Sequence, residues 1–112
     1  MEKEQLEKLT REYQMLQEQL QSLAMQKEQF KEQKAEFAEA LLEVEKAKGK
    51  IYLAIGGIMT ETDKATATKD VKEKQDSAVM RLGIVEKQFE ELSKKEQTMR
   101  TEITAALKEL KE

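Results

Sequence analysis

Ile51-Tyr52-Leu53-Ala54-Ile55-Gly56-Gly57-Ile58-Met59-Thr60 is the longest uncharged stretch in a chain that is 38% Asp, Glu, Lys and Arg. Ile51, Leu53 and Ile55 alternate with Tyr52 and Ala54, which is the period of a strand and not of a helix. Gly56-Gly57 supplies a two-residue turn that tolerates positive φ, and Ile58, Met59, Thr60 and Thr62 then read as a return strand. The expectation is one β-hairpin over residues 51–62. A lone two-stranded hairpin is marginal in water and leaves N–H and C=O groups unpaired along both edges. An apolar hairpin set between polar flanks therefore asks for strand partners from other chains.

Outward from this segment, little punctuates the sequence. It has no Pro and only four Gly in 112 residues, and Glu, Lys and Gln dominate, the composition of long helices and coiled coils. The length suits one structural unit, residues 1–112. Cys and His are absent, which removes disulfides, thiolate metal sites, the usual general base and the commonest transition-metal ligand. Gly56-Gly57 lacks the Lys-Ser/Thr that would make it a phosphate loop, and no EF-hand spacing occurs. Pairs such as Glu90-Glu91 read as solvated faces. We therefore expect no enzyme, no cofactor and no metal. Net charge is −3 with both signs intermixed, so no basic face for nucleic acid is expected. No run approaches 18 apolar residues and the chain opens without an apolar leader, so neither membrane spanning nor secretion is expected, and the cytoplasm is the expected location.

Before the hairpin, a 3,4-spaced series runs through Leu6, Leu9, Tyr13, Leu16, Leu20, Leu23, Lys27, Phe30, Lys34, Phe37, Leu41 and Val44, apolar at ten of twelve positions. That is a sustained a/d seam, and it predicts a helix over residues 2–48, roughly 70 Å long. After the hairpin, Val71, Gln75, Ala78, Leu82, Val85, Phe89, Leu92, Glu96, Met99, Ile103, Ala106 and Leu110 repeat the spacing and predict a helix over 64–111. Asp63, or Thr62 before it, is the candidate N-cap. The Ala65-Thr66-Ala67-Thr68 segment predicts a soft start, and Gly83 falls inside the helix off the seam. Two equal seams on either side of a reversal predict a mainly α fold: a long antiparallel two-helix coiled coil joined by a single hairpin. Placing Val44 against Val71 sets Phe30 by Val85, Leu23 by Leu92, Lys27 by Phe89, Lys34 by Leu82, Glu96 by Leu20, Tyr13 by Ile103 and Leu6 by Leu110. The polar seam members then meet apolar partners, so their stems can lie on apolar surface while their heads reach water.

This arrangement resembles a β-class subunit of prefoldin, the chaperone family of archaea and eukaryotes. The resemblance covers essentially the whole chain. It is carried by Ile51-Tyr52, Ile55-Gly56, the apolar second strand, Thr62-Asp63-Lys64 opening the return helix, Val85-Glu86-Lys87-Gln88-Phe89-Glu90-Glu91-Leu92, and the pairs Gln26-Lys27 and Ala40-Leu41. The single hairpin favours the β class, since α-class subunits carry two. The Thr/Ala-rich start of the second helix and Gly83 depart from the family pattern, and they leave the topology untouched. Lack of tails fits an archaeal type. The resemblance implies a heterohexamer of two α-class and four β subunits, with hairpins assembled into a β-barrel platform. It also implies unfolded polypeptides held at the coiled-coil tips and passed to a group II chaperonin without ATP.

Two sets of residues become candidates. Ile51, Leu53, Ile55, Ile58 and Met59 are expected to form the oligomerisation platform; the plainer alternative is a hairpin folded onto its own helices. Met1, Leu6, Leu9, Ala106, Leu107 and Leu110 are expected to bind clients at the chain ends. There Leu107 and Met1 lie off the seam with nothing of their own chain to cover them, although a scattered surface Leu is ordinary. Met15, Met25 and Met80 also lie off the seam, where Met is usually filler but suits adaptable contacts. The competing function is a structural or tethering coiled coil without client binding. A transcription-type dimer is set aside because no basic region flanks either seam.

Overall fold

The computed structural model describes residues 1–111. Helix α1 (Lys3–Lys46) leads to strand β1 (Ile51–Ile55), strand β2 (Ile58–Thr62) and helix α2 (Lys64–Lys111). The hairpin forms as its alternation requires. Ile51 pairs with Thr62, Tyr52 with Glu61, Leu53 with Thr60, Ala54 with Met59 and Ile55 with Ile58 in antiparallel register. Gly56 and Gly57 sit at φ +54° and +83°. Positive φ at both central residues is the turn whose twist matches the flanking strands, and glycine adopts it without a Cβ penalty.

The helix ends have local causes. α1 stops two residues short of the expected 48, where the Ala47 N–H bonds the Val44 carbonyl at 3.2 Å and tightens the last turn ahead of Gly49. α2 begins at Lys64 behind one of the two expected caps. Asp63 is the N-cap: Oδ1 accepts the Thr66 N–H at 2.7 Å and Oδ2 accepts the Thr66 hydroxyl at 3.0 Å. The Thr66 backbone N–H, and then its hydroxyl, hold the Asp63 carboxyl below its ordinary range. Ala67, one turn in, is buried. The small and β-branched residues of this turn are thus capping partners and core.

The residues group into two compact units, to each of which both helices contribute. In the first, Met1–Lys27 runs antiparallel to residues 84–111. The Met1 amine lies 3.3 Å from Glu109, the Tyr13 hydroxyl 2.7 Å from Glu96, and Lys27 Nζ 5.5 Å from the centre of the Phe89 ring. Leu6, Leu16, Val85, Met99 and Ala106 are buried there, with Leu9, Leu20, Leu23, Leu92 and Ile103 half-buried around them. In the second, residues 28–83, the hairpin joins the remaining helical segments. Phe30, Phe37, Leu41, Val44, Val71 and Gln75 are half-buried and Ala78 and Leu82 buried. Lys64 Nζ donates to the Glu45 carbonyl at 2.6 Å, so the start of α2 satisfies a carbonyl left open at the end of α1.

Two seam expectations change. Lys34 is exposed, and Gln33 is the half-buried residue of that turn; an ammonium is strongly hydrated, whereas an amide tolerates the flank. Leu110 is 59% exposed although Leu6, its expected partner, is 7% exposed. Leu6 is covered while Leu110 extends past cover at the end of α2.

Candidate functional site

On the hairpin, antiparallel pairing puts Ile51, Leu53 and Ile55 on one face with Thr62, Thr60 and Ile58, and Tyr52 and Ala54 on the other with Glu61 and Met59. Ile51 and Leu53 are half-buried. Ile55, Ile58 and Met59 are 61%, 68% and 66% exposed, and Tyr52 is exposed on the opposite face. Both faces therefore carry uncovered apolar side chains. The two-stranded sheet has no third strand among the described residues, so each outer edge keeps unpaired backbone groups.

The chain ends present a different surface. Of the six residues expected there, Leu6 and Ala106 are buried and Leu9 is half-buried, so these three belong to the core of the first unit. Met1, Leu107 and Leu110 are exposed. Leu107 and Leu110 join Leu6 in a shallow groove of about 450 Å³ whose polar rim includes Lys3, Glu7 and Arg11. On the far side of Leu107 lies a second hollow with Thr104, Lys108 and Lys111. The rim was not legible from seam spacing, which marks apolar positions and passes over charged ones. Met15, Met25 and Met80 are exposed, as their off-seam positions require, and so are Leu42, Val79 and Ile84, which seam counting passed over.

The seam itself carries one polar junction. Tyr13 donates to Glu96, whose side chain is 16% exposed, and the Arg100 guanidinium lies 3.7 Å from the same Glu96 oxygen. The hydrogen bond to Glu96, then loss of water, pushes the Tyr13 phenol above its ordinary range. The Glu96 head was expected to reach water and instead meets the Tyr13 hydroxyl: a partly covered phenol and carboxyl find each other, since an unmet polar group there would be costly. Leu23 and Leu92 line one groove and Lys27 meets Phe89, as the seams predict. The Lys27 head rests over the ring instead of only reaching water. No cluster of acidic residues that could hold a metal is found among the described residues, and no helix is long and apolar enough to cross a membrane.

The model of the family described as prefoldin subunit matches residues 7–110. The chain belongs to the prefoldin subunit family. Prefoldin subunit beta of Thermococcus gammatolerans is 35% identical over 71 residues, covering 62% of this chain and 61% of the relative. Prefoldin subunit beta of Thermococcus onnurineus matches to the same extent. Those alignments span less than two thirds of either relative. The crystal structure of the prefoldin beta subunit from Thermococcus strain KS-1 superimposes with a TM-score of 0.81 at 28% identity over 92% of each chain. The family model marks a prefoldin subunit, and the relatives and the solved structure, all beta subunits, place the chain in the β class of this chaperone family.

Proposed function

We propose that this chain is a β subunit of a prefoldin hexamer of two α-class and four β subunits. In this reading it holds unfolded polypeptides at the chain ends and delivers them to a group II chaperonin without ATP hydrolysis. Assembly is carried by the hairpin, where Ile55, Ile58 and Met59 stand uncovered beside unpaired strand edges. Closing strands from several chains into a barrel would remove those edges and bury these side chains. Holding is carried by the groove at Leu107 and Leu110, apolar surface at both chain ends that the subunit does not cover.

The observation that carries the reading is the exposure of the hairpin in a β-class chain. It also separates a prefoldin from a plain tether, which rarely interrupts a coiled-coil seam with an apolar β unit. The test is suppression of aggregation of a chemically denatured client, with the chain alone and with an α-class partner, in the absence of ATP. Protection by the mixed assembly supports the holding function. An assembly that forms yet protects no client makes the chain a structural or tethering subunit instead.

A further inference from the structure

The rim of the groove at the chain ends is unevenly charged. Lys3, Glu7 and Arg11 border it on one side of Leu107, and Lys108 and Lys111 border the adjoining hollow on the other. Four cations thus face one carboxylate, on a chain whose net charge is −3. Glu109, the nearby acid on α2, is engaged by the Met1 amine at 3.3 Å. Among the described residues, none of the four cations lies within ion-pair distance of a carboxylate.

Helix electrostatics account for only half of this. Lys108 and Lys111 sit in the last turn of α2, where cations complement the macrodipole. Lys3 stands in the first turn of α1, where the same dipole favours acids, and Arg11 is beyond its reach two turns on. A binding partner explains their placement better than the fold does.

The geometry points to a charge-selective groove: it takes extended client segments whose apolar core is flanked by acidic residues in preference to those flanked by basic ones. The inference rests on the chain ends being the holding surface. Leu107 and Leu110 supply sequence-tolerant apolar contact. The cations on both sides of Leu107 would meet acids flanking the core, giving attraction that is modest at an exposed site and screened by salt. Charge at such a rim sorts partners more than it adds affinity.

The test uses the assembled protein and three fluorescent peptides that share one Leu-rich core flanked by Glu, Lys or Ser, read by anisotropy. The Glu-flanked peptide is expected to bind about tenfold more tightly than the Lys-flanked one at low salt, with the gap closing near 0.5 M salt. Combined Lys3→Glu, Arg11→Glu, Lys108→Glu and Lys111→Glu should invert the order, with circular dichroism verifying the helices. Leu107→Ser with Leu110→Ser should weaken all three peptides alike. Equal binding of the Glu and Lys peptides, still lost in the Leu double variant, would overturn the charge selectivity while leaving capture at the chain ends intact. Binding of all three that survives the Leu changes, or no binding at all, would overturn capture at the chain ends and the selectivity with it.

Discussion

Tyr13 Oη donates to Glu96 Oε1 at 2.7 Å, joining two seam positions 83 residues apart in sequence. Leu16 and Met99, each one turn further along its own helix, are buried. Polar members of an otherwise apolar seam commonly fix register at some cost in stability. Here Arg100 steadies the acceptor from the next turn of α2.

Tyr13→Phe removes the donor and should lower the melting temperature near pH 8. The sign of the pH dependence follows from the raised phenol value. The stabilisation is fully present below about pH 10, the ordinary tyrosine value, and is lost as pH rises through the higher folded-state value. Melting curves of wild type and Tyr13→Phe should therefore converge above that point. A constant gap up to pH 11 would show that the hydroxyl matters sterically instead.

Asp63→Ala should unravel the first turn of α2, because it removes both acceptors of Thr66. The lowered carboxyl value means that this stabilisation is present above about pH 4 and disappears as pH falls through the folded-state value. Thermal melts at pH 7 should separate the variant from wild type, and the separation should shrink as pH falls below about 4. Asp63→Asn, which keeps one acceptor, should recover part of the loss.

Gly83→Ala should stabilise the chain by roughly 0.5–1 kcal/mol. Gly83 lies inside α2, and a Cβ there would meet nothing within 4 Å. Its φ is not in the left-handed region. Urea denaturation of the isolated chain measures the change, and a loss of stability would mean that the position bears a constraint the fold does not display.

Ile55→Asp with Ile58→Asp should prevent the proposed oligomer while leaving helical circular dichroism largely intact. The two residues pair beside the Gly56-Gly57 turn and are mostly exposed in the single chain, so the subunit itself tolerates carboxylates there. Burying those unpaired carboxylates in a barrel would cost several kcal/mol. Sedimentation velocity decides it, and an unchanged oligomer refutes the platform.

Much of this architecture was legible because its signals are local and periodic. The alternation through Ile51, Leu53 and Ile55, closed by two glycines, announces a hairpin whose register follows from turn length. The 3,4 spacing that ran from Val71 to Ala106 marks residues that are all buried or half-buried. Side-chain chemistry at the margins of the pattern was less legible. Nothing in a heptad count distinguishes Gln33 from Lys34 as the covered flank, or reveals that the Tyr13 phenol reaches Glu96. Capping turned Thr66 from a weak helix former into a stabilising one. At the chain ends Leu6 and Ala106 are core, as their seam positions require, and off-seam Leu107 is surface, but seam membership misplaced Leu110, which is exposed.

The most direct test is client protection by an assembly lacking Met1–Thr10 and residues 105–112. This removes Leu107, Leu110 and the cations Lys3, Lys108 and Lys111 together, and leaves every hairpin residue in place. The account predicts an oligomer that still forms and no longer prevents aggregation of a denatured client, with Leu107→Ser alone far milder because several weak contacts act jointly. Undiminished protection by the truncated oligomer would contradict it and move capture elsewhere on the helices, to the exposed flanks bearing Met15, Met25 and Met80.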